Sequence, residues 1–140
     1  MHENPAYAAG VVRTARMLFV EDKIRFLWNI PQRFVFLWML DIFLYPTSRE
    51  GFCIAALEAM SMGLPVVTYD DSAMPETVAP EAGVLVKKGD IDGLAAAVVS
   101  LLKDPQLLKT KSEAARALVM RRNMPADVFG RYEQLYEQCA

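Results

Sequence analysis

The sequence predicts an α/β protein: helices interleaved with a parallel sheet, followed by a helical tail. Three observations carry that expectation. Strand-like apolar runs alternate with helix-like segments, the order that builds successive βα units. The run DIFLYP (41–46) is apolar throughout its centre, as a strand buried on both faces requires. The 140 residues are 54% hydrophobic and 23% charged, too apolar for disorder and charged enough for a solvated surface.

Each element has a local reason. Residues 5–19 read as a helix with Pro5 suited to its first turn. Residues 23–28 (KIRFLW) form a short β-like run, and 31–39 a short helix. DIFLYP is the next strand. Residues 51–62 (GFCIAALEAMSM) hold strong helix formers and stop at Gly63, with Pro65 just beyond. Strands are expected at 65–69 and 83–86. Helices are expected over 90–103, 105–122 and 125–138, punctuated by Asp104–Pro105 and Asn123–Met124–Pro125.

Composition closes off several function classes. With 15 Lys+Arg against 17 Asp+Glu, the chain has no electrostatic footprint for duplex nucleic acid. Cys53 and Cys139 are far apart and form no CxxC, which argues against a disulfide framework or zinc knuckle. A lone histidine, His2, excludes a histidine-based triad or a histidine-rich metal site within the chain. The N-terminus lacks the basic flank and apolar run of a signal peptide, so a cytoplasmic location is expected. The most apolar stretch, Phe26–Pro46, is interrupted by Pro31, Arg33 and Asp41. It falls short of the roughly 20 apolar residues of a spanning helix, leaving peripheral membrane contact as an option.

In parallel sheets of this kind ligands bind beyond the carboxyl ends of the strands, which directs attention to TSREGF (47–52). Glu50 stands just before the expected helix and Gly51 permits close backbone approach. The first amides of that helix, near Gly51, Phe52 and Cys53, form an anion site suited to a diphosphate. Glu58 lies eight residues after Glu50, and helical geometry would return it to within roughly 80° of the same azimuth, so that both carboxylates border one cleft. A carboxylate accepts two vicinal hydroxyls well, as on a ribose or hexose.

Residues 41–90, with Glu50 and Glu58 in an E-x7-E spacing, Ala59–Met60, Gly63 and Pro65–Val67, then SAMPETV and GVLV…GD, resemble the C-terminal domain of the large group 1 family of retaining glycosyltransferases. KIRFLWNIP resembles an earlier segment of that family. The resemblance implies a GT-B enzyme, with two Rossmann-like domains and the active site between them. It implies residues 1–140 as a single partial C-terminal domain: an incomplete Rossmann-like parallel sheet over about 20–90 and a helical tail over 90–140. By the same resemblance Glu50, the catalytic candidate, meets the donor sugar hydroxyls and Glu58 the nucleotide ribose. Gly51, Phe52 and Cys53 face the sugar-diphosphate, and Leu27, Trp28 and Asn29 line the base pocket, with Trp28 standing where the family has glycine. Glu76 falls on a loop glutamate read as structural. The implied reaction is metal-independent, retaining transfer from an NDP-sugar substrate, with no further cofactor.

Family members are two to three times longer, so the chain is expected to be the donor half of a larger enzyme or a fragment of one, with DIFLYP left as an exposed sheet edge. The alternatives are a non-catalytic nucleotide-sugar-binding or oligomerisation module, or one subunit of a split glycosyltransferase whose N-terminal domain is on another chain. Blander readings exist for single residues. Cys53 at a helix start could be a low-pKa thiolate. Met17, Met60, Met62 and Met120 read as core or interface filler, and Trp28 and Trp38 as packing rather than sugar stacking. Lys87–Lys88 and Arg121–Arg122 read as solvated faces. Tyr132, Leu135 and Tyr136 form one apolar stripe on the last helix, available for self-association.

Overall fold

The computed structural model describes residues 5–27 and 30–139. The chain divides into two compact units, Met1–Pro31 and Gln32–Ala140. The first holds helix α1 (Pro5–Met17) and a 3-10 turn at Glu21–Lys23. Arg16 Nε donates to Glu21 Oε1 at 2.8 Å, fixing the turn beneath the helix end. Tyr7, Val11, Leu18, Val20 and Ile24 line an open, largely apolar groove of about 490 Å³ on this unit.

The second unit runs α2 (Arg33–Trp38), β1 (Phe43–Tyr45), α3 (Ile54–Ser61), β2 (Val66–Asp70), α4 (Met74–Thr77), β3 (Gly83–Lys87), α5 (Ile91–Lys103), α6 (Pro105–Arg122) and α7 (Pro125–Cys139). The three strands are parallel in the order β1-β2-β3, with Phe43 opposite Val66 and Val66 opposite Gly83. β2 is central, and its Val66, Val67 and Thr68 are fully buried. The one polar side chain among these three is satisfied: Thr68 Oγ1 donates to the Tyr45 carbonyl at 2.7 Å. One face packs on α3, α4, α6 and Leu37 of α2 through Met60, Met74 and Leu118. On the other face Leu94 and Leu101 of α5 cover Val67.

The helix punctuation works as its residue types dictate. Asp90 caps α5 by accepting from the Gly93 amide at 2.8 Å. Asp104 caps α6 by accepting from the Gln106 and Leu107 amides at 3.1 and 2.9 Å, with Pro105 in the first turn. Beyond α3, Gly63 takes φ 81°. Its amide bonds the Met60 carbonyl at 2.9 Å and the Leu64 amide bonds that of Ala59 at 3.0 Å, a Schellman closure.

Two expectations need correction. Over the described residues 23–27 no strand forms: Glu21–Lys23 is the 3-10 turn and Ile24 is extended, but no described strand pairs with it, and β-forming side chains make a strand only beside a neighbour. The last residue of that run, Trp28, lies outside the described residues, as does Asn29. The helix expected from residue 51 begins at Ile54, because Cys53 adopts a left-handed backbone (φ 61°, ψ 69°) that no helix continues through. Of the four methionines read as core or interface filler, Met60 is buried, Met62 is half-buried, and Met17 and Met120 are exposed.

Much apolar surface faces outward. β1 lies at the edge of the three-stranded sheet, with Leu44 about half exposed. α2 turns Leu37 inward and Phe34, Val35 and Trp38 outward. On α7 no residue is buried, and Tyr132, Leu135 and Tyr136 are all exposed. Among the described residues no helix is long and apolar enough to cross a membrane.

Gly83 is where the sheet leaves no space. A Cβ there would meet the Val66 carbonyl oxygen across the strand pair and lie 2.6 Å from Val78 Cγ1. Gly83→Ala is therefore expected to destabilise the fold by about 1–3 kcal/mol through overpacking, read as a lower urea midpoint at unchanged slope.

Candidate functional site

The carboxyl ends of parallel strands all open on one side of the sheet, so the segments after β1, β2 and β3 emerge together. The first of them carries Glu50, which is half-buried. Tyr45 Oη donates to Glu50 Oε1 at 2.8 Å, and Thr47 Oγ1 donates to the same oxygen at 3.0 Å. One carboxylate oxygen is thus committed to orienting the side chain, and both hydroxyls converge on it rather than on Oε2. Sequence reasoning missed these orienters. A tyrosine at the last position of β1 and a hydroxyl two residues on are a legible signal once the strand end is known.

Glu50 raises the Tyr45 phenol above its ordinary value, chiefly by accepting its hydrogen bond and secondarily alongside burial. A phenol whose pKa is raised on folding stabilises the fold below the unfolded value and ceases to do so as pH rises through the folded one. Cys53 is buried at the start of α3, and that burial pushes its thiol up. The thiolate reading is thereby corrected: desolvation outweighs the Ala56 amide that would lower it.

Glu58 lies on α3 and is mostly buried, its side chain 21% exposed. Arg33 of α2, itself well exposed, reaches its Oε1 at 3.1 Å, a partner absent from the expected site. The azimuth relating Glu50 to Glu58 along one helix does not apply, because Glu50 precedes the first residue of α3 by four positions on a non-helical loop. The two carboxylates are held by different partners: Glu50 by its own strand and loop, Glu58 by α2.

Gly51 and Phe52 are exposed. The Ala56 and Leu57 amides close back on the Cys53 carbonyl at 3.1 and 3.4 Å. The amides of Gly51, Phe52, Cys53, Ile54 and Ala55 find no backbone acceptor among the described residues, so the run of donors is longer than the three expected. It adjoins the positive end of α3. The loop is braced from β2's side: the Ala73 amide donates to the Glu50 carbonyl at 3.3 Å, and Thr77 Oγ1 to the Phe52 carbonyl at 2.9 Å. Leu27 is exposed in the first unit, and Trp28 and Asn29 lie outside the described residues. Glu76 is exposed on α4, and its carbonyl accepts from Arg122 at 3.4 Å. Among the described residues no three His, Cys, Asp or Glu side chains converge.

The family model described as Glycosyl transferases group 1 matches residues 6–118. The chain belongs to that family. N-acetyl-alpha-D-glucosaminyl L-malate synthase of Bacillus anthracis is 29% identical over 127 residues, covering 90% of this chain and 33% of that protein. Sucrose-phosphate synthase from Thermosynechococcus elongatus superimposes with a TM-score of 0.84 at 26% identity, over 96% of this chain and 34% of that one. Anabaena HepE, solved in complex with UDP, reaches 0.92 at 20% identity over 99% of this chain and 38% of that one. The chain spans about a third of the length of these proteins. Its three-stranded sheet and helices have the fold of part of a GT-B glycosyltransferase.

Two measurements test this geometry. In absorbance titrations, the difference between the wild type and Tyr45→Phe isolates a phenol ionising above the ordinary tyrosine value, and Glu50→Gln brings it down. In thiol labelling at neutral pH, Cys139 is expected to react at once and Cys53 only on unfolding; rapid labelling of both would contradict the buried thiol.

Proposed function

We propose that this chain supplies the donor-binding part of a retaining, metal-independent glycosyltransferase that uses a nucleotide-sugar. The observation carrying this reading is the loop after β1, where an oriented, half-buried carboxylate stands directly before an unbroken run of free amides at a helix start. Such a run suits a diphosphate, and a fixed carboxylate oxygen suits sugar hydroxyls.

In this reading the amides of Gly51 to Ala55 and the positive end of α3 meet the diphosphate charge, so the reading requires no metal. Glu50, with Oε1 held by Tyr45 and Thr47, offers Oε2 to hydroxyls of the donor sugar. Glu58 offers the oxygen that Arg33 leaves to the vicinal hydroxyls of the ribose. The bond from the anomeric carbon to the β-phosphate oxygen breaks, and the acceptor oxygen bonds the same face. The acceptor's proton passes to the departing phosphate oxygen. UDP in the structure of HepE, whose fold this chain shares, supports a nucleotide as the ligand class.

The test is calorimetry of the 140-residue chain against UDP-, GDP- and ADP-sugars and the matching free nucleotides. Glu58→Ala is expected to weaken nucleotide binding by about tenfold or more, as loss of charge-assisted hydrogen bonds does. Glu50→Ala should leave the free nucleotide's affinity near wild type and erase the advantage of the sugar-bearing form. No binding of any of them at millimolar concentration, with the chain folded, would defeat the proposal.

A further inference from the structure

Two carbonyls of the loop after β1 are held by the segment that follows β2. The Ala73 amide donates to the Glu50 carbonyl at 3.3 Å, and Thr77 Oγ1 donates to the Phe52 carbonyl at 2.9 Å. Thr77 is buried, and its hydroxyl also lies 3.1 Å from the Ala73 carbonyl oxygen. That oxygen already accepts from the Glu76 and Thr77 amides at 3.2 and 3.1 Å. The Phe52 carbonyl accepts from no backbone amide among the described residues. The one hydroxyl proton therefore matters most across the loop, where it satisfies a carbonyl that has no other donor.

A trans peptide is planar, with its C=O and the next residue's N–H pointing in opposite directions. Both peptides here are trans. Holding the Glu50 carbonyl on Ala73 turns the Gly51 amide away from that segment. Holding the Phe52 carbonyl on Thr77 turns the Cys53 amide away from α4. Neither amide has a backbone acceptor among the described residues. The backbone beside each clamp is left-handed, with φ 61° at Cys53 and φ 56° at Ser72. Side-chain-bearing residues keep such angles only where their surroundings hold them. Cys53 directly follows the Phe52 carbonyl, and Ser72 directly precedes the Ala73 amide.

We propose that Thr77 is a positioning residue for a diphosphate: by holding the Phe52 carbonyl it aims the Cys53 amide out of the loop, beside the Gly51 amide that Ala73 aims, as a preset pair of donors. The ligand half of this statement rests on the function proposed above; the clamp itself does not. Thr77 acts through the loop, because its proton is committed to the Phe52 carbonyl.

Thr77→Val removes the hydroxyl from a side chain of the same shape, and Thr77→Ser keeps it. Without ligand, nitrogen relaxation should show backbone order parameters of residues 51–53 falling from about 0.85 to below about 0.6 in the valine variant and staying near the wild-type values in the serine one. The second readout is the ratio of diphosphate to monophosphate affinity, taken by calorimetry for whichever of UDP, GDP or ADP the wild type binds and its matching monophosphate. That ratio is expected to fall about tenfold in Thr77→Val and less than about threefold in Thr77→Ser, as loss of aimed donors to the second phosphate requires. Unchanged order in the valine variant would overturn the clamp, and equal losses for mono- and diphosphate would overturn the aiming. If Thr77→Val loses exchange protection in β2 and α6, Thr77→Ala against Thr77→Ser decides, since the two differ only in the hydroxyl. Order and ratio lost in alanine but kept in serine support the clamp, and equal behaviour overturns it. A wild-type chain that binds no nucleotide but shows the loss of order would sink the functional proposal and leave the clamp standing.

Discussion

Everything in the second unit depends on β2 being enclosed. A parallel strand with neighbours on both edges and helices on both faces has to be apolar almost throughout, and it fixes where its neighbours begin and end. Val66 and Val67 supply opposite faces of the core, and Thr68 turns a potentially costly buried hydroxyl into a bond to β1. That bond lands on the Tyr45 carbonyl, at the residue whose phenol orients Glu50. The core and the candidate site thus share a strand end, and the side chain that reaches the carboxylate is set by the register of the sheet.

The loop chemistry is a consequence of that register. Parallel pairing delivers Tyr45, Asp70 and Lys87 as the closing residues of their strands on one side, and a short segment leads away from each. Short segments between fixed ends often take unusual backbone angles, and three of the four non-glycine residues with positive φ among the described residues, namely Arg49, Cys53 and Ser72, lie there. Such conformations persist only where hydrogen bonds over-determine them, and the bonds from Ala73 and Thr77 to the Glu50 loop do so.

Sequence reasoning goes furthest where one local signal decides the outcome. The caps at Asp90 and Asp104, the stop at Gly63 and the strands around DIFLYP and PVVTY need only residue type and spacing. The GT-B resemblance comes from an ordered series of such signals, and family membership is established. The features that escape depend on partners remote in sequence or on backbone angles. Nothing in KIRFLW reveals whether a strand lies beside it. Cys53 gives no notice of a left-handed start, so the helix is expected three residues early and the two glutamates are assigned a common azimuth they do not have. The partners of the site carboxylates, Tyr45, Thr47 and Arg33, become visible only with coordinates, because ion pairs and hydroxyl contacts leave no period in a sequence.

The two layers flanking the sheet are unequal. Among the described residues, thirteen form the buried cluster on the side of α3 and α6, against Val67, Leu94 and Leu101 on the side of α5. Fewer side chains are wholly removed from water beneath α5 than beneath α3 and α6.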